Sequence, residues 1–143
     1  MSNVVSNQQA RETLSSSWER LRSVTLWIMQ GALALLFLFT GGSKLLLPTH
    51  VLLAQMALPL PIWFLRLIGV IEVAGALGLI LPQLTRIKPG LTPMAAGGLA
   101  LEMAGATLVT VIALGVAPAL FPLVVGLLAA FVAYGRGPRW RSA

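Results

Sequence analysis

The chain has 143 residues, of which 57% are hydrophobic and 10% are charged, and its formal net charge is +6. About a quarter of the residues in a soluble domain are charged, so this composition excludes an ordinary soluble domain and indicates a lipid surrounding. The length allows one domain, and the absence of cysteine together with a single histidine excludes disulfides, thiol chemistry and Cys/His zinc sites.

The chain begins with a polar segment, residues 1–23, that is rich in Ser, Asn and Gln. Within this segment, residues 13–22 place Leu14, Trp18 and Leu21 on one helical face, which is typical of a short helix at a membrane surface. A partly ordered tail fits the same residues, and both interpretations stay open. A basic segment before an apolar run also resembles a signal peptide, but this apolar run is too long for one.

Four apolar runs follow, and they predict a transmembrane domain over residues 24–136. The first and second spans are predicted at residues 26–47 and 61–81, and a proline follows each of them. The third and fourth spans are predicted at residues 91–114 and 119–134, with a tight turn between them.

The segment between the first two spans, residues 49–60, is apolar but too short to cross a bilayer, which takes about 20 residues. It is predicted to form a re-entrant or interfacial segment. The predicted fold is therefore an all-α, antiparallel bundle of four transmembrane helices with a short interfacial segment and a basic tail at residues 137–143.

The basic residues predict the orientation of the chain. If there are four spans, the N-terminal segment, the loop at residues 83–90 and the tail share one side of the membrane. These regions contain Arg11, Arg20, Arg22, Arg86, Lys88, Arg136, Arg139 and Arg141. The positive-inside rule then places both termini in the cytoplasm. The same residues form no stripe with interleaved aromatic residues, so they do not indicate nucleic-acid binding.

Two carboxylates lie near the middle of apolar spans, Glu72 in the second and Glu102 in the third. Such a charge costs about 2.5–3.5 kcal/mol even on the insertion scale, so both side chains are expected to face protein. Small residues three and four positions away would let other helices approach closely. The five residues from Glu72 (EVAGA) resemble those from Glu102 (EMAGA), which indicates either an inverted internal repeat or a chance match.

Lys44, near the end of the first span, is the predicted partner of Glu72. The two side chains lean toward each other, and helix tilt or a break at the preceding glycine pair could close a depth difference of roughly 12 Å. Arg66 is expected to extend to the interface, where His50 is also expected. Glu102 has no evident basic partner.

Two interpretations of these charges stay open. The structural one is an ion pair with a neutral, hydrogen-bonded acid, and the functional one is a proton path or a polar site for the head group of a ligand. The sequence has no phosphate-binding loop, nucleophile triad or metal-ligand spacing. No catalytic residue is therefore assigned, and an enzyme acting by itself is the least favoured function.

Three segments carry a resemblance to a known family. Residues 35–45 (LLFLFTGGSKL) resemble the first-helix signature of DoxX-like membrane proteins, and residues 67–82 (LIGVIEVAGALGLILP) are similar to the second-helix signature. Residues 91–96 (LTPMAA) resemble the start of the third helix in that family. The resemblance covers about residues 25–136, and the lysine and glutamate of the first two segments occupy recurring basic and acidic positions of the family.

The resemblance implies a four-helix protein of the bacterial cytoplasmic membrane. Relatives include the small subunit of a thiosulfate:quinone oxidoreductase, which implies a non-catalytic accessory subunit of a quinone-linked redox complex, with a quinone as ligand and larger subunits as partners. Many relatives have a histidine late in the third helix, where this chain has Thr107 or Thr110, so chemistry that depends on that histidine is not carried over. The residues themselves leave two alternatives open, a proton-coupled carrier acting as a homo-oligomer and a structural scaffold in the membrane.

Overall fold

The computed structural model describes residues 1–137, and these residues form five α-helices and no strand. The helices are α1 (Ser2–Leu46), α2 (Thr49–Ala54), α3 (Ile62–Leu84), α4 (Leu91–Leu114) and α5 (Val116–Arg136). All except α2 are long and apolar enough to cross a membrane. The prediction of an all-α protein with four spans is therefore confirmed. Of the predicted basic tail, residues 138–143 lie outside the described part of the chain.

The first helix is longer than the sequence pattern predicted. α1 continues from Ser2 through the predicted polar segment and into the first span without a break, which differs from both a separate short helix and a partly ordered tail. Residues 1–30 contain neither glycine nor proline, so nothing in them interrupts helical hydrogen bonding. Everything before Leu26 is exposed, and this part of α1 extends roughly 35 Å beyond the bundle.

Two proline residues lie inside helices that were predicted to begin or end beside them. α3 continues through Pro82 to Leu84, because a proline in the last turn removes only its own hydrogen bond. α5 begins at Val116 and includes Pro118 in its first turn, where the backbone N–H would have no partner within the helix. Gly115, with φ 93°, ends α4 in a conformation that favours glycine.

The four long helices pack as an antiparallel bundle. α1 packs along α3 and α4 along α5, while α3 also packs on α4 and a smaller contact joins α1 to α5. We call the end of the bundle at Trp27, Leu84 and Arg136 the terminal end, and the opposite end, at Leu46 and Ile62, the distal end. The linker that contains α2 lies at the distal end, and α2, at six residues, is too short to span a membrane, as predicted.

The outer faces of the bundle are apolar. The buried core includes Leu33, Phe37, Leu79, Leu99 and Val132. Large apolar side chains on the outside remain exposed, among them Leu35, Phe39, Leu101, Ile112 and Phe121. A continuous apolar surface of this kind would be costly in water and fits the hydrocarbon of a bilayer. The chain is a multi-pass membrane protein.

Candidate functional site

The centre of the candidate site is an ion pair between α1 and α3. Lys44 Nζ lies 2.7 Å from Glu72 Oε2 and 2.8 Å from Glu72 Oε1. The Glu72 side chain is 3% exposed and the Lys44 side chain 20%. The Thr40 hydroxyl donates a third hydrogen bond to Glu72 Oε1, at 3.2 Å. Both carboxylate oxygens thus have donors, which a buried charge requires.

Close packing of two glycines brings the pair together. A Cβ on Gly41 of α1 would lie 2.8 Å from both the Gly69 carbonyl oxygen and Glu72 Cβ. A Cβ on Gly69 would in turn lie 3.0 Å from the Gly41 carbonyl oxygen. α1 passes through Gly41 and Gly42 as regular helix, so no break at this glycine pair brings Lys44 to Glu72. The close approach of the two backbones does bring the helices near enough for the pair to form.

Arg66 lies at the distal end of the bundle, and its position at the membrane interface stays a prediction. Its guanidinium donates to the carbonyl oxygens of Lys44 at 2.6 Å, Leu47 at 2.9 Å and also Leu45. These are among the last carbonyls of α1, which have no partner within the helix. Arg66 therefore caps α1 directly beside the ion pair. His50 is exposed on α2.

Glu102 lies on α4 across from the ion pair. It interacts electrostatically with both Glu72 and Lys44, and its Oε2 atom is buried without a hydrogen-bond partner among the described residues. The predicted close packing along its stripe of small residues is absent, because a Cβ on Gly98 or Gly105 would meet nothing within 4 Å. An orphaned buried carboxyl oxygen is rare in a folded protein and indicates a place where a further polar group belongs.

The space beside Glu102 is a cavity of about 600 Å³ between α3, α4 and the linker, which we call the distal cavity. Its polar lining residues are Lys44, Gln55, Glu72, Glu102 and Thr110, and its apolar lining includes Met56, Phe64, Ile68, Val109 and Leu114. Thr107 and Thr110 bond back to carbonyls of α4, at 2.7 Å each, as predicted. The ion pair and the free carboxyl oxygen therefore belong to one largely apolar site.

Sequence reasoning did not find two contributors to the site. Thr40 donates to Glu72 and lies four residues before Lys44. Residues with this spacing lie on one helix face, so the spacing could have predicted that Thr40 contacts the partner of Lys44. The distal cavity itself depends on how α3 and α4 diverge beyond Gly75, which local patterns do not encode. Within residues 1–137, no group of three or more His, Asp or Glu side chains converges as metal ligands would.

The fold and the site define a small multi-pass membrane protein with polar groups deep inside an apolar bundle. The chain belongs to the DoxX-like family, whose sequence model matches residues 28–132. Comparison with curated proteins and with solved structures gave no match. The matched residues include the ion pair, Arg66, Glu102 and most of each span.

Proposed function

We propose that the chain binds an amphiphilic, quinone-like molecule in the distal cavity and acts as a non-catalytic small subunit of a quinone-linked redox complex. One observation carries the proposal: the Lys44–Glu72 pair and the partnerless Glu102 oxygen meet the same apolar cavity of about 600 Å³. Ligand sites are mostly apolar cavities of about 300–1,000 Å³ with a few convergent polar groups.

The chemistry of the lining fits a quinone. A quinone ring has two carbonyl oxygens, which accept hydrogen bonds, on an apolar body. Lys44 has three N–H donors, and Glu72 accounts for two of the contacts, so one donor is left for a ligand. A protonated Glu102 carboxyl would supply a second donor. The apolar walls formed by Phe64 and Val109 suit the ring and the beginning of an isoprenoid chain.

The proposed role as an accessory subunit rests on the kinds of functional group that the chain contains. The described residues provide polar groups that hold and orient a ligand, and the family resemblance supplies the link to quinone reduction. Larger partner subunits would carry the redox centres. In this proposal the protein lies in the bacterial cytoplasmic membrane with both termini in the cytoplasm, as the distribution of basic residues favours.

Native mass spectrometry of the tagged protein, released from its own membrane in a mild detergent, tests the proposal. We expect a quinone-sized mass and larger redox subunits to accompany the chain. A bare monomer or homodimer that carries only ordinary lipids would contradict both parts of the proposal.

A matched pair of variants shows whether the ligand occupies the distal cavity. Gly105→Phe places a ring in the cavity, since Gly105 lines it and has open space beside it. Gly97→Phe adds the same ring to the same helix, at a position that also has open space but does not line this cavity. We expect Gly105→Phe to lose the quinone-sized mass and Gly97→Phe to keep it; equal loss in both would place the ligand elsewhere.

Glu102 also favours a second candidate function, a proton-coupled carrier. A partnerless carboxyl beside an ion pair, near the middle of a span, could take up and release a proton as a ligand enters or leaves. This function predicts uptake into proteoliposomes that depends on a pH gradient and is lost in Glu102→Gln. If Glu102→Gln loses the pH-dependent uptake but keeps the bound quinone, the two proposed functions are distinct and the carrier function is supported.

A further inference from the structure

An apolar groove lies between α3 and α4 on the terminal side of the distal cavity. Its volume is about 430 Å³, and we call it the α3–α4 groove. Its lining consists entirely of aliphatic residues, methionine and glycine, among them Ala74 and Gly78 of α3 and Leu91, Ala95 and Gly98 of α4. A lining of this kind accepts an apolar chain and disfavours a polar group, which would find no hydrogen-bond partner there.

The groove is continuous with the distal cavity. Ile71 of α3 lines both of them. On α4, residues spaced three and four apart share one helix face, and this face passes from the groove into the cavity. The face consists of Leu91, Ala95 and Gly98 in the groove, followed by Glu102, Gly105 and Val109 in the cavity. The two spaces are therefore parts of one depression along the same pair of helices.

The groove opens toward the surroundings of the bundle. Ile71 and Met94 on its sides are 45% and 72% exposed. Gly98 is also exposed, and a Cβ at this position would meet nothing within 4 Å. Because the outer faces of α3 and α4 meet hydrocarbon in a membrane, an apolar chain can enter the groove sideways from the bilayer.

The position of the cavity determines the direction in which a bound ligand would extend. On its distal side, linker residues such as Met56 and Leu60 line the cavity, where the spans end. On its terminal side, the groove leads from Glu102, near the middle of α4, along the rest of the apolar span. An apolar tail is more stable in hydrocarbon than near water, so the groove is the favourable direction.

We propose that the α3–α4 groove binds the apolar tail of the molecule whose head group lies in the distal cavity, so that the site prefers a long-chain isoprenoid quinone to a short-chain one. The inference rests on the function proposed above, because it takes the head group to lie beside Lys44 and Glu102. Lipid chains are as apolar as the groove, so burial alone does not favour the tail. A tail whose head group is bound is held beside the groove at high local concentration, an advantage that a free lipid chain lacks.

The length of the groove sets the length of the tail. Leu91 lies about 11 residues, or roughly 16 Å, from Glu102 along α4. An extended polypeptide advances about 3.5 Å over three backbone bonds, and an isoprene unit adds four bonds of similar length, so about three to four units reach the end of the groove. Further units would extend into the bilayer and add little to binding.

The test is photo-crosslinking of the full chain in nanodiscs. The probe is a quinone analogue with a diazirine at the end of its third isoprene unit, and peptide mass spectrometry locates the adducts. We expect adducts within residues 91–98 that disappear when an unlabelled quinone of the same length is added. Native mass spectrometry of the same sample shows separately whether the analogue is bound.

The two measurements distinguish failure of this inference from failure of the proposed function. If the analogue is bound but its adducts lie at linker residues 55–60, or are scattered over the outer faces of all the helices, the tail does not occupy the groove and only the inference is wrong. If the analogue is not bound, the quinone site and the inference that depends on it both fail.

A matched pair of variants tests the groove itself. Gly98→Leu places a side chain in the groove, and Gly97→Leu adds the same side chain at a position that is equally open but lines neither the groove nor the cavity. We expect Gly98→Leu to reduce the adducts within residues 91–98 about tenfold, because the tail would overlap the added side chain. Gly98→Leu should still bind an analogue with a single isoprene unit, which shows that the head-group site is intact. Gly97→Leu should behave as wild type, and equal effects of the two variants would overturn the inference.

Discussion

Gly41 and Gly69 face each other where α1 crosses α3, and a Cβ on either residue would lie within 3.0 Å of the other's carbonyl oxygen. The Lys44–Glu72 pair lies directly beside this crossing. Without the two glycines the backbones could not approach, and the lysine could not reach the buried carboxylate.

Gly41→Ala should therefore destabilise the protein. The added methyl group would lie 2.8 Å from Glu72 Cβ and from backbone of α3, so the helices must separate, at a cost of about 1–3 kcal/mol. The measurement is the midpoint of thermal unfolding in detergent.

The neighbouring glycine provides the control for this prediction. A Cβ on Gly42 would meet nothing within 4 Å, so Gly42→Ala should leave the midpoint unchanged or raise it slightly through better helix propensity. Equal effects of the two substitutions would show that the crossing is looser than the structure indicates.

The ion pair should respond differently to single and double substitution. Lys44→Met leaves a buried Glu72 carboxylate with only the Thr40 hydroxyl, and breaking one side of a buried pair costs about 3–5 kcal/mol. Lys44→Met with Glu72→Gln removes both charges and should recover much of that loss. Thermal unfolding of the wild type, both single variants and the double variant forms the complete cycle. A double variant no more stable than Lys44→Met would mean that the pair is not the source of the loss.

Gln30→Leu should also lower stability, by about 1–3 kcal/mol, although it places an apolar residue in an apolar bundle. The Leu79 carbonyl loses its side-chain donor and Arg136 Nε loses its acceptor, so a buried guanidinium N–H is left unpaired. Thr25→Val, exposed on the same helix, should change the midpoint little. The idea would be abandoned if Gln30→Leu proved as stable as wild type.

The orientation of the chain can be measured directly because the sequence has no cysteine. Ser6→Cys, on the exposed part of α1, should react with a membrane-impermeant maleimide only after the cells are permeabilised. Ala57→Cys, in the linker at the distal end, should react in intact cells. The reverse labelling pattern would place both termini outside and remove the support that the positive-inside rule gives to the proposed topology.

The sequence predicted the parts of the molecule that follow from the cost of polarity in a membrane. Four apolar runs of sufficient length become four spans because a helix makes all its backbone hydrogen bonds within itself, as the bilayer core requires. Lys44 and Glu72 form a pair because a charge inside a span needs a polar partner. The direction in which each side chain leans further limits which partners are possible.

Other contacts depended on packing that no local pattern encodes. The bond between Gln30 and Arg136 joins residues 106 positions apart, and it exists because α5 closes against α1. Arg66 reaches the end of α1 because α3 begins close beside it. The extent of α1 is not predicted by the apolar pattern for another reason. Polar residues mark the end of a membrane span, whereas a helix ends only where its hydrogen bonding is interrupted.

The polar contacts of α1 with α3 occur at two levels of the bundle. The Gln30 amide bonds to the Leu79 carbonyl oxygen near the terminal end, and Lys44 bonds to Glu72 toward the distal end. Along α1 these anchors are about 14 residues, or roughly 21 Å, apart. A slide of either helix by one residue would lengthen both contacts, so the two contacts together hold the register of α1 against α3.

α4 and α5, which pack along each other, form a second pair of helices. α3 packs closely on this pair where Gly75 lies against Leu99 and Gly78 against Ala95, both on the terminal side of Glu72 and Glu102. If the two pairs of helices separated at the distal end only, the distal cavity would widen and Glu102 would move away from Glu72, while Lys44 would stay with Glu72.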